Sequence, residues 1–543
     1  MRKSLKKRAV RWGANTVVCA MVASLSACST DANENTNGDG GGRYGGTLIY
    51  VLNADPTVLN PAITSSAPDL YTACKIFEGL TRLDKELEAQ PNLAASWDIA
   101  EDGKTYTFQL QENVDWHDGE PLTSADVKWS ISEVSDEYGP RVATPFDNIA
   151  SIETPDDNTV VMHLKESYGP FLKLLTCSNA AIIPEHIYGE GDVTSNPRNT
   201  KDPIGTGPFK FDEWKHGDHI TLVKNENYWR EKRPYLDSII LQVIPDTQAQ
   251  VAALQSGEVD VLSDYILDKA SFLQLKDTEG IEGETGTNVP TDNLLMFNTR
   301  SSPFDDRVFR QGVVRAINRE AIIAKATFGL GEPGKSAINS ELGSFHNPNV
   351  NYTEMYPYDP EAASAALDEA GITADASGHR MELTLAFEAG NPDFDATANI
   401  MRENLKAVGI DVTLEPLERT VMLEKVFTKH EFDLFLTRYT TSGDAALGVE
   451  RVYLCSSIGT NTFNNASGYC NDEVDRLFAQ ASSATTVADR KVPYWAVQEI
   501  LAEDVPTLVV EENASIGLYH DNVQNLWAGP DDYDYWEEVW VQK

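Results

Sequence analysis

The chemistry open to this 543-residue chain depends first on its six cysteines and nine histidines. Cys74, Cys177, Cys455 and Cys470 lie in the body of the chain, and Cys19 and Cys28 lie near its start. An even set of body cysteines suits oxidative pairing. Cys455 and Cys470 are close in sequence, with Gly459, Asn461, Asn464, Asn465 and Gly468 between them. A disulfide closing that loop would stabilise it by about 3 kcal/mol in the chain-entropy view. Cys74–Cys177 is the second pairing open to the chain. Neither pair has the spacing of a zinc site or of a redox Cys-x-x-Cys. His216 and His219 are separated by Gly217-Asp218, which makes a turn and not a helix face offering two imidazoles to one ion. There is no Gly-x-Ser-x-Gly, no His-Glu-x-x-His and no phosphate-binding loop. A hydrolase nucleophile, a zinc-protease helix and an ATPase cradle therefore have no local signature.

Cys28 has a different setting. Arg2, Lys3, Lys6, Lys7, Arg8 and Arg11 precede an apolar run over 12–23, and Leu25-Ser26-Ala27-Cys28 follows it. That order of charged region, short apolar region and small residues is an export signal, predicted over 1–27. The apolar run is too short to span a bilayer. Leu-Ser-Ala-Cys resembles a bacterial lipobox, so Cys28 is expected to be lipidated and to become the new N-terminus. An ordinary secretory cut, with Cys28 incidental, is the alternative. Residues 28–46, rich in Asn, Asp, Gly and Thr, read as a flexible tether.

Removing 1–27 takes six basic and no acidic residues, leaving 38 Lys and Arg against 84 Asp and Glu, a net −46. Such a charge repels phosphate backbones and argues against nucleic-acid binding. Solubility or salt adaptation accounts for acid spread along the whole chain, and a cationic ligand is the other reading.

The elements that would position a site read as α/β. SIILQVI at 238–244 is a buried strand. Asp246 caps a helix at 247–256, Gly257 ends it, and 259–262 is the next strand. MELTLAF at 381–387 opens a second such unit. Asp395 is read as the cap of a helix carrying Met401, Leu405 and Val408 on one face, Gly409 as its end, and 410–414 as the following strand. Two βαβ units this far apart predict two lobes, and a cleft between lobes is a common ligand site. Between them, Tyr106, Phe108 and Leu110 alternate with Thr105, Thr107 and Gln109, a half-buried strand. Thr123 and Asp126 form a capping-box pattern.

Four segments in order carry a resemblance. DGKTYTFQLQENVDWHDGEPLTSADV at 102–127, GTGPFKFDEWKHGDHITLVKNENYW at 205–229, FNTRSSPFDDRVFRQGVVRAINREAI at 297–322 and GYCNDEVDRLFAQA at 468–481 resemble family 5 extracytoplasmic solute-binding proteins. These are the oligopeptide-, dipeptide- and nickel-binding components of ABC importers. The resemblance implies the two-lobed periplasmic-binding-protein-like fold, in its type II, large three-part variant. Mapped here, lobe I is 47–74 with 203–291 and 507–543, an inserted subdomain is 75–202, and lobe II is 292–506.

It also implies a site. In peptide-binding members a second-lobe aspartate pairs with the ligand's α-amino group, because an ammonium in a closed cleft needs a counter-charge. Asp444, in RYTTSGDAALG at 438–448, is the matching acid, and a turn aspartate beside Gly443 would fit the same loop. Thr441, Ser442 and Gly443 accompany it, and Tyr439 stands where many members have tryptophan, a candidate aromatic wall. The stretch after 381–387 is Glu388-Ala389-Gly390-Asn391-Pro392, without the arginine that holds a carboxylate in some dipeptide-binding members. Glu388 and Asp444 together would suit a cationic ligand or a longer peptide held by its backbone. Asn391 joins the candidates on lobe II, with Ser66 and Tyr71 from lobe I and Asn288 before the crossing. No cofactor and no bound metal ion is implied, although a metal chelate stays open as a ligand. The resemblance implies a monomeric, non-catalytic receptor, lipid-anchored outside the cell membrane. It would deliver a peptide or related solute to an ABC permease with separate ATPase subunits. A sensory or pheromone receptor on the same fold, or an anchored peptide or ester hydrolase, are the alternatives.

Overall fold

The computed structural model describes residues 43–139, 143–263, 266–286, 289–441, 443–459, 462–527 and 533–543. The export signal, Cys28 and the tether up to residue 42 lie outside them. Residues 43–46 are part of the body, one correction to the predicted tether. The Gly45 amide donates to Tyr235 O at 2.8 Å, and the Tyr44 ring meets Tyr235 edge-on at 5.3 Å. Gly45 takes φ +98°, and a β-carbon there would meet Lys543 Nζ at 2.9 Å, so glycine is required where the chain turns into its first strand.

The first lobe is built on a seven-stranded sheet. Its spatial order is Ile281–Thr285, Ile516–His520, Val261–Ser263, Thr47–Leu52, Ser238–Val243, His219–Lys224, Phe209–Lys215. The predicted helix Thr247–Ser256 starts where Asp246 accepts from Ala249 N and stops at Gly257, φ +75°. Its flanking strands do not pair with each other. Both run parallel to Thr47–Leu52, which lies between them, so the helix crosses over the chain's first strand.

The inserted part carries a four-stranded antiparallel sheet, in the order Ala94–Ile99, Thr105–Leu110, Thr159–Leu164, Ile149–Asp156. Tyr106, Phe108 and Leu110 fill its buried face, as their alternation predicts. The Asp126 carboxylate accepts from Thr123 N at 2.9 Å and from Thr123 Oγ1 at 3.0 Å, opening the helix Ser124–Trp129. Both cysteine pairs, Cys74–Cys177 and Cys455–Cys470, are disulfides. The first ties the helix Ala67–Ala73 to the inserted span.

Lobe II has six strands in the order Glu332–Pro333, Thr507–Asn513, Thr291–Phe297, Leu434–Thr440, Met381–Glu388, Ile410–Leu417. Thr507–Asn513, placed by the resemblance in lobe I, belongs here. It pairs antiparallel with Thr291–Phe297 and is buried along its whole length. The chain therefore recrosses at Ala514-Ser515 and not at 506–507, and Ile516–His520 returns to the first sheet. The second βαβ unit pairs its strands directly, Met381 against Ile410. Its helix, Pro392–Lys406, begins before the predicted cap. Asn391 Oδ1 accepts from Asp393 N and Phe394 N with Pro392 in the first turn, which places Asp395 inside the helix. Each of the three sheets has its own apolar cluster, around Phe297 and Leu436, Leu48 and Leu241, and Phe108 and Val160.

Candidate functional site

A cavity of about 2040 Å³ is lined by both lobes and by the inserted part. The chain passes between the two larger sheets after Thr285 and again after Asn513. The first lobe gives Ser66 and Tyr71 from the helix Ala67–Ala73 and its cap. The loop before that helix is held by Asp69, whose carboxylate accepts from Thr57 N, Thr57 Oγ1 and Thr64 Oγ1 at 2.7–2.9 Å. Tyr71 packs against Tyr533 at 5.0 Å between ring centres.

On lobe II the strand Met381–Glu388 delivers Glu388, and the following turn delivers Asn391. Asn391's amide oxygen is used in capping its helix, so it shapes the wall more than it offers an acceptor. Leu434–Thr440 delivers Arg438 and Tyr439. Tyr439 is among the lining residues. Its hydroxyl donates to Asn464 O at 3.0 Å, Phe463 meets its edge at 6.0 Å, and the Arg451 guanidinium lies 5.5 Å from its ring centre.

The loop matched to the family's ammonium site is arranged otherwise. Asp444 is fully buried and does not line the cavity. Arg490 grips it with both terminal nitrogens, at 2.9 and 2.5 Å, and Asp444 Oδ1 also accepts from Ala446 N. Its charge is thus spent within the protein. Burial lowers the Arg490 pKa and the facing Asp444 raises it, with a net rise. Thr441 and Gly443 are also absent from the lining. A β-carbon on Gly443 would meet Leu83 at 3.2 Å, the point where this loop abuts the inserted part. Ser442 and Asn288 lie outside the described residues.

Glu388 is likewise paired, with Arg419 Nη1 at 3.0 Å. The pairing of Glu388 with Asp444 as a double acid for a cationic ligand therefore does not form. The basic residues that the local sequence after 381–387 lacks come from elsewhere, and Arg419, Arg438, Arg451, Arg476 and Lys269 all line the cavity. Against these five stand six acids, Glu137, Glu166, Asp268, Glu388, Asp393 and Glu450. A chain of net charge −40 thus encloses a cavity close to neutral, suited to a solute bearing both signs. The signal missed in sequence was Arg438 and Arg451 flanking the same loop as Asp444.

Two cavity acids are perturbed. Burial pushes Asp393 up to about 6, against the opposing pull of Lys269 and Arg438. Glu450 is pushed up to about 7, first by burial and then by Asp444, while hydrogen bonds from Ser482 and Tyr494 and the charge of Arg490 pull it down. At the hinge, Lys269 of the first lobe donates to Glu511 Oε1 at 2.8 Å and to Asn513 Oδ1 at 2.6 Å on lobe II. Asn293 completes Glu511 at 2.6 Å and receives Arg438 Nε at 3.1 Å.

No histidine or cysteine lines the cavity among the described residues. His117, in the 102–127 segment, bridges the inserted part to the next loop. It donates from Nε2 to Gly207 O at 2.9 Å and accepts at Nδ1 from Gly205 N, and burial lowers it to about 4. The cluster Cys455, Cys470 and Asp472 has metal-like proximity, but both sulfurs are in a disulfide and offer no thiolate.

Two lobes joined by a pair of crossings around a shared cavity define a bilobal solute-binding protein. Residues 88–459 match the family model for bacterial extracellular solute-binding proteins, family 5, middle region, and the chain belongs to that family. It is 28% identical to the oligopeptide-binding protein AppA of Bacillus subtilis, over 96% of this chain and 99% of the relative. It is 26% identical to the glutathione-binding protein GsiB of Escherichia coli O1:K1, over 89% and 92%. The solved structure of B. subtilis AppA with a nonapeptide superposes with a TM-score of 0.80 at 25% identity, covering 92% of this chain and all of that one. Among the described residues no helix is long and apolar enough to cross a membrane.

Proposed function

We propose that this chain is the peptide receptor of an ABC importer, held at the outer face of the cell membrane by a lipid on Cys28. The observation that carries the reading is the inter-lobe cavity. At about 2040 Å³ it exceeds the roughly 300–1,000 Å³ common for small-molecule sites, and it has both signs of charge on its walls. A peptide presents an ammonium, a carboxylate and a run of backbone amides, and the basic residues of the wall put positive charge within the cavity where a carboxylate would lie. AppA and GsiB, named for peptide ligands, support the same class. Lobe closure would bury the ligand and present the closed form to a permease whose ATPase is a separate subunit.

Native mass spectrometry of the mature body, purified without denaturation, tests the reading. A retained mass that fragments as a peptide is expected. Retention of a metal chelate alone, or release of cleaved peptide during incubation, would overturn it. Deleting the gene should abolish uptake of the retained peptide. Unchanged uptake would instead assign a sensory role.

A further inference from the structure

The Glu450 carboxylate, in the cavity wall, is held by two hydroxyls and forms no ion pair among the described residues. Glu450 stands at the start of the short helix Glu450–Tyr453, is 8% exposed, and lines the cavity. Its Oε1 accepts from Ser482 Oγ and from Tyr494 OH, the latter at 3.0 Å. No described residue donates to Oε2, and no described Lys, Arg or His forms an ion pair with it. Arg490, whose charge acts on Glu450, has both terminal nitrogens committed to Asp444 and one shared with Tyr494 OH at 3.3 Å. A carboxylate in this position is desolvated by the wall and has its donors on one oxygen alone.

We propose that Glu450 is the anion that receives the ligand's ammonium group, the role that the loop's sequence assigns to Asp444. The assignment rests on the peptide reading above and names the subsite within it. Asp444 and Arg490 form the closed pair behind the wall, and Glu450 is the open acid in front of it. Ser482 Oγ and Tyr494 OH hold Oε1, which leaves Oε2 for a third donor. A primary ammonium supplies that donor together with the missing charge.

The groups facing Glu450 are Asp444 and Arg490 behind it, Tyr494 on the long helix Val487–Asp504, and Tyr168 from the inserted part. Burial and the Asp444 charge keep Glu450 protonated up to about neutral pH in the empty receptor. Binding an ammonium therefore displaces a proton, and affinity for amine-bearing ligands should rise as pH approaches neutrality from below.

The test uses two pools of short peptides of random sequence, one with free α-amines and one N-acetylated, read by native mass spectrometry on the full mature protein. The wild type is expected to retain the free-amine pool at least about 30-fold better, the scale for losing one partner of a buried charge pair. That preference should grow from about pH 5.5 to about pH 7.5, below the α-amine's own titration. Glu450→Gln should still retain peptides but with the preference and its pH dependence gone. Equal retention of both pools by the wild type, or a preference that survives E450Q, would overturn the assignment while leaving the peptide reading intact. Retention of neither pool would overturn the peptide reading and this subsite with it. Should E450Q fail to fold by circular dichroism, the wild-type pH series decides alone, and a pH-independent preference sinks the proposal.

Discussion

Two buried polar clusters bracket the cavity, and they are completed in opposite ways. At the hinge, Lys269 and Glu511 are 2% and 1% exposed, come from different lobes, and are closed off by Asn293 and Asn513. At the far end, Arg490 and, at 3.8 Å, Lys173 both face Asp444, while Glu450 beside them has two hydroxyl donors and no ion pair of its own among the described residues. A cluster whose charges cancel internally is structural. One in which a carboxylate is left without a direct ion pair is a place where a ligand can supply one. The far cluster is also where the inserted part touches lobe II. Gly169 N donates to Ser482 O at 2.8 Å, Ser167 Oγ to Ser483 O at 2.6 Å, and Lys173 Nζ lies 3.8 Å from Asp444. The proposed subsite and the contact between the inserted part and lobe II therefore share Ser482.

The strongest way to break this comparison is at the hinge. Lys269→Met should leave Glu511 buried without a partner and lower stability by about 3–5 kcal/mol, measured by urea unfolding. A loss below about 1 kcal/mol would mean that the hinge pair is not the closed cluster described here. Next in size is the pH dependence of the open acid. Glu450 has its folded pKa raised from 4.5 to about 7, so the folded state binds the extra proton between those values. Stability should therefore fall as pH rises through that window, by at most about 3 kcal/mol. Glu450→Gln removes the charge, so its stability relative to the wild type should climb between about pH 5 and about pH 8. A constant difference across that range would show that Glu450 is not desolvated.

These clusters also mark where the sequence stopped being informative. The helix Thr247–Ser256 was legible because both of its signals are local, Asp246 at one end and Gly257 at the other. The strand Thr105–Leu110 was legible from period-two alternation, and Cys455–Cys470 from a short spacing. The start of the Pro392–Lys406 helix was legible too, since Asn391-Pro392 is a cap followed by a first-turn proline, and Asp395 was read in its place. The sheet to which Thr507–Asn513 belongs was not legible, because a buried strand carries no mark of its neighbours. Arg490 lies 46 residues beyond Asp444, and nothing local announces that the two meet. The loop at 438–448 thus showed an acid of the right kind in the right place, and only the fold shows that its charge is already used.

Asp444→Asn separates the two acids most directly, with the smallest expected change. Asparagine keeps an acceptor for Ala446 N and for one Arg490 nitrogen, so the loop should hold. The cost is one charged hydrogen bond and a partly uncompensated guanidinium, about 2 kcal/mol of stability. That loss stays modest because Glu450 is near enough to take up the released Arg490 charge, which already pulls its pKa down. The same release should lower the Glu450 pKa, since the repulsion from Asp444 disappears and the attraction of Arg490 grows. The variant's stability should then depend less on pH than the wild type's, and its preference for free-amine peptides should weaken only as far as Arg490 competes for Glu450. If Asp444→Asn instead abolished that preference while Glu450→Gln kept it, the ammonium would belong to the buried pair, and the open and closed clusters would exchange roles.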